Sequence, residues 1–198
     1  MLLHYNACNS AAKVFRMTAE KNFSGPEKKI ISDLLPTPSE VVDSTTASRP
    51  EKVAVFPGSF DPFTIGHASI VTRGLPLFDR IVIGVGVNGQ KRSLYANDER
   101  VRTIQELYAA EPRVTVVGYT DLTIDLARRE GAQFILRGLR SVKDFEYERD
   151  IAAMNHRLSG IETVLLFTEP QYAAISSSVV RELIHYGKDV SQFLPRKN

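Results

Sequence analysis

The sequence predicts an α/β fold: a doubly wound, five-stranded parallel sheet preceded by a flexible N-terminal extension. Three observations carry this expectation. From Lys52 onward, short β-branched runs alternate with stretches of helical periodicity, the pattern of stacked βαβ units. The 198 residues suffice for one domain with a real apolar core but not for two full domains with linkers. The composition, 43% hydrophobic and 24% charged, is that of a globular chain and excludes collagen-like, wholly disordered and coiled-coil classes.

Taken in order, the strands are Val53 to Phe56, Arg80 to Val87, Val114 to Gly118, Phe134 to Leu136 and Thr163 to Phe167. The first helix opens near Gly66. The second starts at about Asn97, which reads as an N-cap ahead of Asp98 and Glu99, with Val101, Ile104, Leu107 and Tyr108 facing inward. A third begins at Asp121 and is stopped by Gly131. A longer helix covers roughly Lys143 to Leu158, and the last starts among Ser176 to Ser178 and runs to about Tyr186. Parallel connections cross over right-handedly, so helices cover both faces and ligands belong at the carboxyl ends of the strands.

Residues 1–51 read differently and are assigned to a linker-like extension, with residues 52–198 as the folded domain. The tract from Pro36 to Pro50 is rich in Ser, Thr and Pro and gains too little burial to offset its ordering entropy. The first residues lack a basic segment followed by a continuous apolar one, so a secretory signal is not expected, and Met17 offers a second start. No apolar run approaches the roughly 20 residues that cross a bilayer. The 25 basic and 23 acidic residues leave a formal charge of +2, too balanced to draw a nucleic acid or a membrane by bulk attraction. Any anion site must be local. A single cysteine, Cys8, fits a reducing compartment, and no His/Cys/Asp spacing suggests zinc; His4, His156 and His185 read as structural or solvated. A cytoplasmic protein without membrane or nucleic-acid partners is expected.

The most informative segment, Phe56-Pro-Gly-Ser-Phe-Asp-Pro-Phe-Thr-Ile-Gly-His67, leaves the first strand and opens the first helix. Pro57, Gly58 and Pro62 let the chain turn sharply, and Gly66 has no Cβ to hold a nucleotide away from the backbone. The amides and positive dipole end of the helix start favour an anion, to which His67 can add an Nε2–H donor. A second piece, Ile175-Ser-Ser-Ser-Val-Val-Arg181, offers three hydroxyls at a helix start with Arg181 one turn on. Taken alone it reads as an ordinary serine N-cap; together with the first motif it reads as a second phosphate corner.

Thr64-Ile-Gly-His67 with Ile175-Ser-Ser-Ser-x-x-Arg181 resembles the signature pair of the nucleotidylyltransferase superfamily. PGSFDPFTIGH, LRGLRSVKDFEYE and ISSSVVREL together resemble the bacterial phosphopantetheine adenylyltransferases, over about residues 52 to 195. The resemblance implies a Rossmann-like fold and transfer of adenylate from ATP to 4′-phosphopantetheine, giving dephospho-coenzyme A and pyrophosphate. It further implies Mg²⁺ on the phosphates, a homohexamer and feedback binding of coenzyme A in the acceptor channel. Residue by residue, it implies a catalytic set of His67, Lys91, Arg140 and Ser177. ATP contacts would come from Ser59, Phe60, His67, Gly138, Leu139, Arg140, Glu148 and the loop Tyr172, Ala173, Ala174, Ile175, Ser176, Ser177 and Ser178. The acceptor would be held by Ser59, Lys91, Thr123 and Arg137.

The residues themselves leave some alternatives open. Lys91 reads equally as a solvated surface lysine, and Glu146 and Glu148 as a solvated helix face. Thr123 replaces a more usual bulky apolar residue of the acceptor channel, Ser93 a proline, and Tyr172-Ala-Ala an aromatic-rich version of the adenine loop. Competing functions are a nucleotidylyltransferase with another acceptor, such as nicotinamide mononucleotide or a cytidylyl substrate, and a non-catalytic nucleotide-sensing module. A class I aminoacyl-tRNA synthetase would need a larger chain and a basic tRNA surface.

Overall fold

The computed structural model describes residues 49–87 and 93–196. The element order is β1 (Val53–Gly58), α1 (Ile65–Gly74), β2 (Arg80–Gly86), α2 (Asn97–Leu107), β3 (Val114–Tyr119), α3 (Thr123–Arg129), β4 (Phe134–Leu139), α4 (Val142–Ser159), β5 (Glu162–Phe167) and α5 (Ser177–His185). Single 3₁₀ turns follow at Pro170–Tyr172 and Ser191–Phe193. The five strands form one parallel sheet in the order β3-β2-β1-β4-β5, the doubly wound arrangement expected.

Strand alternation divides the core in two. Ala54 and Phe56 of β1 pack with Ile81, Ile83 and Val85 of β2 under Ile70 and Val71 of α1 and Ile104 of α2. Val53, Val55 and Val82 point the other way, against Ile124, Leu126 and Ala127 of α3. The direction of winding reverses at β1 and β4, which makes the crevice between them the switch point where such sheets bind ligands.

How these two strands part explains the crevice. β1 pairs with β2 over six positions, Val53 to Gly58, but with β4 only at Ala54↔Phe134 and Val55↔Ile135. Pro57 has no N–H for a ladder, and its carbonyl is taken instead by the Arg137 guanidinium at 2.6 Å. The sheet thus opens beyond Val55, with an arginine in the gap.

Several boundaries differ from expectation for physical reasons. β1 continues through Pro57 and Gly58, and β4 through Arg137 to Leu139, so Arg137 lies within its strand rather than past it. Asn97 is not the cap of α2: Ala96 occupies that position, and the Asn97 amide lies over Gly118 of β3. The third helix begins at Thr123 rather than Asp121, whose carboxylate accepts from Arg129 Nη1 at 2.7 Å. Gly131 (φ +66°) and Gly160 (φ +72°) follow the ends of α3 and α4. No helix among the described residues is long and apolar enough to cross a membrane.

Candidate active site

The turn out of β1 is built by steric exclusion. Phe60 holds a left-handed backbone (φ +48°), uncommon for a bulky residue, and its ring folds back over Gly58, where a Cβ would lie 2.8 Å from it. Phe60, Phe56 and Phe63 then surround His67, with ring centroids 5.1, 6.4 and 5.4 Å from the imidazole. This aromatic shell, with the Arg140 and Arg137 charges as lesser causes, pulls the His67 pKa down from 6.5 to about 4. The ring is neutral at pH 7.

Its tautomer is set by helix capping. The Thr64 amide donates to His67 Nδ1 at 2.9 Å, the role that a Glu or Gln plays in an ordinary capping box. Because Nδ1 accepts, the proton sits on Nε2, and His67 lines the cleft. The folded imidazole refuses a proton that the unfolded chain accepts. Its contribution to stability is therefore complete above pH 6.5 and drains away as the pH falls from 6.5 to about 4. Thermal midpoints of the parent should fall more steeply across that window than those of His67→Gln; parallel curves would refute the assignment.

The cleft has a volume of about 640 Å³ at the switch point. It gathers Ser59, Phe60, Gly66 and His67 from the first corner, Arg137, Gly138 and Arg140 from the end of β4, Glu148 from α4, and Ile175 to Ser178 from the second corner. A Cβ on Gly66 would meet no protein atom closer than 3.6 Å, so packing alone does not require glycine there; a ligand pressed against the helix start would. The two corners are fastened together. Ser177 Oγ donates to the Pro62 carbonyl at 2.9 Å, and Arg181 Nη1 donates to the Asp61 carbonyl at 2.6 Å.

The serine hydroxyls are already engaged. Ser176 Oγ caps α5 by accepting from the Val179 amide at 3.2 Å, Ser177 Oγ donates to Pro62, and Ser178 Oγ accepts from Arg181. This corner therefore offers an anion the amides of Ser177 and Ser178, in a first turn that lacks intrahelical acceptors, together with the O–H donors of Ser176 and Ser178, whose oxygens act only as acceptors in these bonds.

Arg137 and Glu148 form a two-point pair. Arg137 Nε donates to Glu148 Oε2 at 2.8 Å, and Nη2 donates to Oε1. A guanidinium has five N–H donors; with Nη1 also bonded to Pro57, one hydrogen on each terminal nitrogen stays available for a phosphate. Glu148, expected at the nucleotide, lines the cleft as a buried side chain, with both carboxylate oxygens bonded to Arg137. Arg140 is more exposed and pairs with Asp144 at 3.2 Å.

A second cavity of about 420 Å³ adjoins the first and shares Pro57, Gly58, Ser59, Arg137 and Glu148 with it. Thr123 lines it, its hydroxyl 3.1 Å from that of Tyr119, together with Tyr147, Ile151 and Asn155 of α4. Four expected contacts do not line the cleft. Leu139 is buried and its carbonyl accepts from the Thr168 amide at 2.7 Å. Tyr172, Ala173 and Ala174 belong to a turn closed by local bonds that brings Ile175 to the cleft instead. Lys91 lies outside the described residues.

Sequence reading missed Asp61 and Arg100, both buried. Arg100 had a signal, since it falls on the same α2 stripe as Ile104 and Leu107. Asp61 sat unremarked inside the most informative motif.

The cleft lies at the switch point of a parallel sheet, and the cytidylyltransferase-like family model matches residues 55–183, which places the chain in a nucleotidyltransferase class. The chain is 56% identical over 142 residues to the phosphopantetheine adenylyltransferase of Phocaeicola vulgatus, covering 72% of this chain and 94% of that protein. It is 54% identical over 143 residues to that of Bacteroides fragilis, covering 72% and 95%. The chain belongs to the phosphopantetheine adenylyltransferase family. Its fold is also that of a bifunctional NMN adenylyltransferase/ADP ribose pyrophosphatase from Francisella tularensis, at a TM-score of 0.56 and 13% identity, over 75% of this chain and 46% of that one.

Proposed function

We infer that residues 52–198 form an adenylyltransferase domain that joins ATP and 4′-phosphopantetheine into dephospho-coenzyme A, releasing pyrophosphate. The observation that carries this reading is the convergence of His67 and Ser177, from opposite ends of the domain, on one cleft whose wall continues into a second cavity. ATP would lie over Ser59, Phe60, Gly66, His67, Gly138, Arg140 and the amides of Ser177 and Ser178. The acceptor phosphate would sit between Ser59, Lys91 and Arg137, its pantetheine arm running past Thr123.

The chemistry suits such a site. The acceptor is a phosphate monoester whose oxygen already carries charge, so no enzyme base is needed. That oxygen attacks the α-phosphorus, a P–O bond forms, and the bond to the pyrophosphate breaks. The protein's work is alignment and stabilisation of charge. Neutral His67 donates Nε2–H to an α-phosphate oxygen without exchanging a proton, and the helix-start amides hold the departing phosphates.

Mg²⁺ fits this donor set in one way. Among the described residues no group of three or more His, Cys, Asp or Glu could hold a metal. The cleft carboxylates of Asp144 and Glu148 are bonded to arginines and that of Asp61 to amides. Mg²⁺ keeps much of its water and is often bound through substrate phosphates, so the ion would arrive on ATP and neutralise the leaving pyrophosphate.

The same reading carries a cytoplasmic homohexamer inhibited by coenzyme A in the acceptor channel. Self-association is supported by α4, where Tyr147, Ile151, Met154 and Leu158 form a stripe at helical spacing that a single copy leaves exposed. The test of function is pyrophosphate release from MgATP with 4′-phosphopantetheine, with nicotinamide mononucleotide, and with neither. Release that depends on 4′-phosphopantetheine is expected. Release driven only by the mononucleotide, or by no acceptor, would overturn the reading.

A further inference from the structure

We propose that Asp61 and Arg100 are positioning residues that hold the phosphate-binding turn at a fixed offset from both ends of the β2–α2 connection. Asp61 is 4% exposed, yet among the described residues its carboxylate has no cation at close hydrogen-bonding distance. Oδ2 accepts from the Leu94 amide at 2.8 Å and Oδ1 from the Tyr95 amide at 3.0 Å, two consecutive N–H groups just before α2. Among the described residues the nearest cation, Arg181 Nη1, lies 3.9 Å from Oδ2 and is already bonded to the Asp61 carbonyl. The side chain therefore serves chiefly to bind backbone, and a carboxylate used this way has two strong acceptors where an amide would have one.

Arg100 completes the arrangement from the other side. It is 5% exposed, and its Nη1 donates to the Ser59 carbonyl and, at 3.4 Å, to the Gly86 carbonyl at the end of β2. Among the described residues its Nε has no partner. A buried guanidinium whose acceptors among the described residues are all carbonyls is costly, which argues that this geometry serves more than stability. Ser59 and Phe60, with the left-handed backbone at Phe60, lie between the two grips. If either grip is lost, the turn can slide against β2 and α2. A shift near 1 Å at a site that works by alignment costs about 10²-fold.

The kinetic arm of the test rests on the adenylyltransferase reading; the exchange arm does not. Asp61→Asn keeps the volume but only one acceptor oxygen. It should lower kcat by about 10- to 10²-fold with the KM for ATP changed less than about threefold. Hydrogen exchange in the peptide spanning residues 93–96 should rise roughly tenfold. Arg100→Lys, whose ammonium ends about one bond short of the Nη1 position that reaches both carbonyls, should lower kcat similarly and leave that exchange unchanged. Should Asp61→Asn fail to fold, Asp61→Glu, with both oxygens displaced by one methylene, takes its place with the same expectations. Unchanged exchange, or faster exchange with kcat within about threefold of the parent, overturns the proposal. A parent without acceptor-dependent pyrophosphate release instead overturns the reading of function, and exchange alone then decides whether Asp61 holds residues 94 and 95.

Discussion

His67→Ala will lower kcat by about 10²- to 10³-fold, the usual consequence of removing one preorganised donor from a developing charge. The loss should appear in kcat more than in the KM for ATP, because the amides at the starts of α1 and α5 remain to bind ground-state phosphates. The structure adds a sharper expectation than loss alone. With its pKa near 4 the free imidazole is neutral throughout the physiological range, and the Thr64 bond to Nδ1 fixes the proton on Nε2. His67 then acts as a donor and not as an acid or base. The parent's kcat/KM profile should show no inflection belonging to His67 between about pH 6 and 9. His67→Gln, which can place an N–H near the Nε2 position, should recover part of the rate. Steady-state pyrophosphate release by the three proteins decides this. If alanine turns over within about threefold of the parent, His67 has no part in the step.

Most of the fold was legible because period and turn chemistry agree along the chain. The runs Arg80-Ile-Val-Ile-Gly-Val and Val114-Thr-Val-Val are too apolar and β-branched to be anything but buried parallel strands, and both start where expected. Prediction failed where a residue served a tertiary purpose. Asn97 has the chemistry of a cap, yet the close approach of α2 to Gly118 draws its amide onto β3. Pro57 and Gly58 read as a turn, yet they extend β1, because β2 pairs with them and Arg137 supplies the bond that a β4 neighbour would have made.

The site divides along the same line. His67 and the 176–178 turn are read from local sequence as anion corners and Ser59 and Arg137 from the family resemblance, and the structure brings all of them to one cleft. Partnerships between distant side chains leave no local trace. Nothing near Arg137 says that it will bond a glutamate on the following helix, and nothing near Ser177 says that its hydroxyl will fasten Pro62, 115 residues away. Reading a serine-rich helix start as three hydroxyls for phosphate was chemically reasonable. The structure commits the Ser177 proton to Pro62, shows Ser176 and Ser178 only as acceptors, and adds the first-turn amides to the same corner.

Glu148 carries the second large expectation, which separates a role at the nucleotide from a role in holding Arg137. If Glu148 touched the nucleotide, its removal would weaken ATP. In the structure it is a buried carboxylate devoted to Arg137, whose side chain is 29% exposed. Glu148→Ala strands that guanidinium, which should cost about 2–4 kcal/mol, somewhat under the value for a fully buried pair because Arg137 reaches solvent. For a chain of this size that is a fall in thermal midpoint of roughly 5–12 °C. Freed from the carboxylate, Arg137 keeps only its Pro57 bond, and the acceptor phosphate loses an aligned donor pair. The acceptor KM should then rise by about tenfold or more, with ATP binding within about threefold of the parent. Glu148→Gln, retaining one acceptor oxygen, should fall between. Thermal melts together with separate titrations of the two substrates give the answer: a tenfold weaker ATP with an unaltered acceptor would assign Glu148 to the nucleotide and show that the acceptor does not depend on its hold on Arg137.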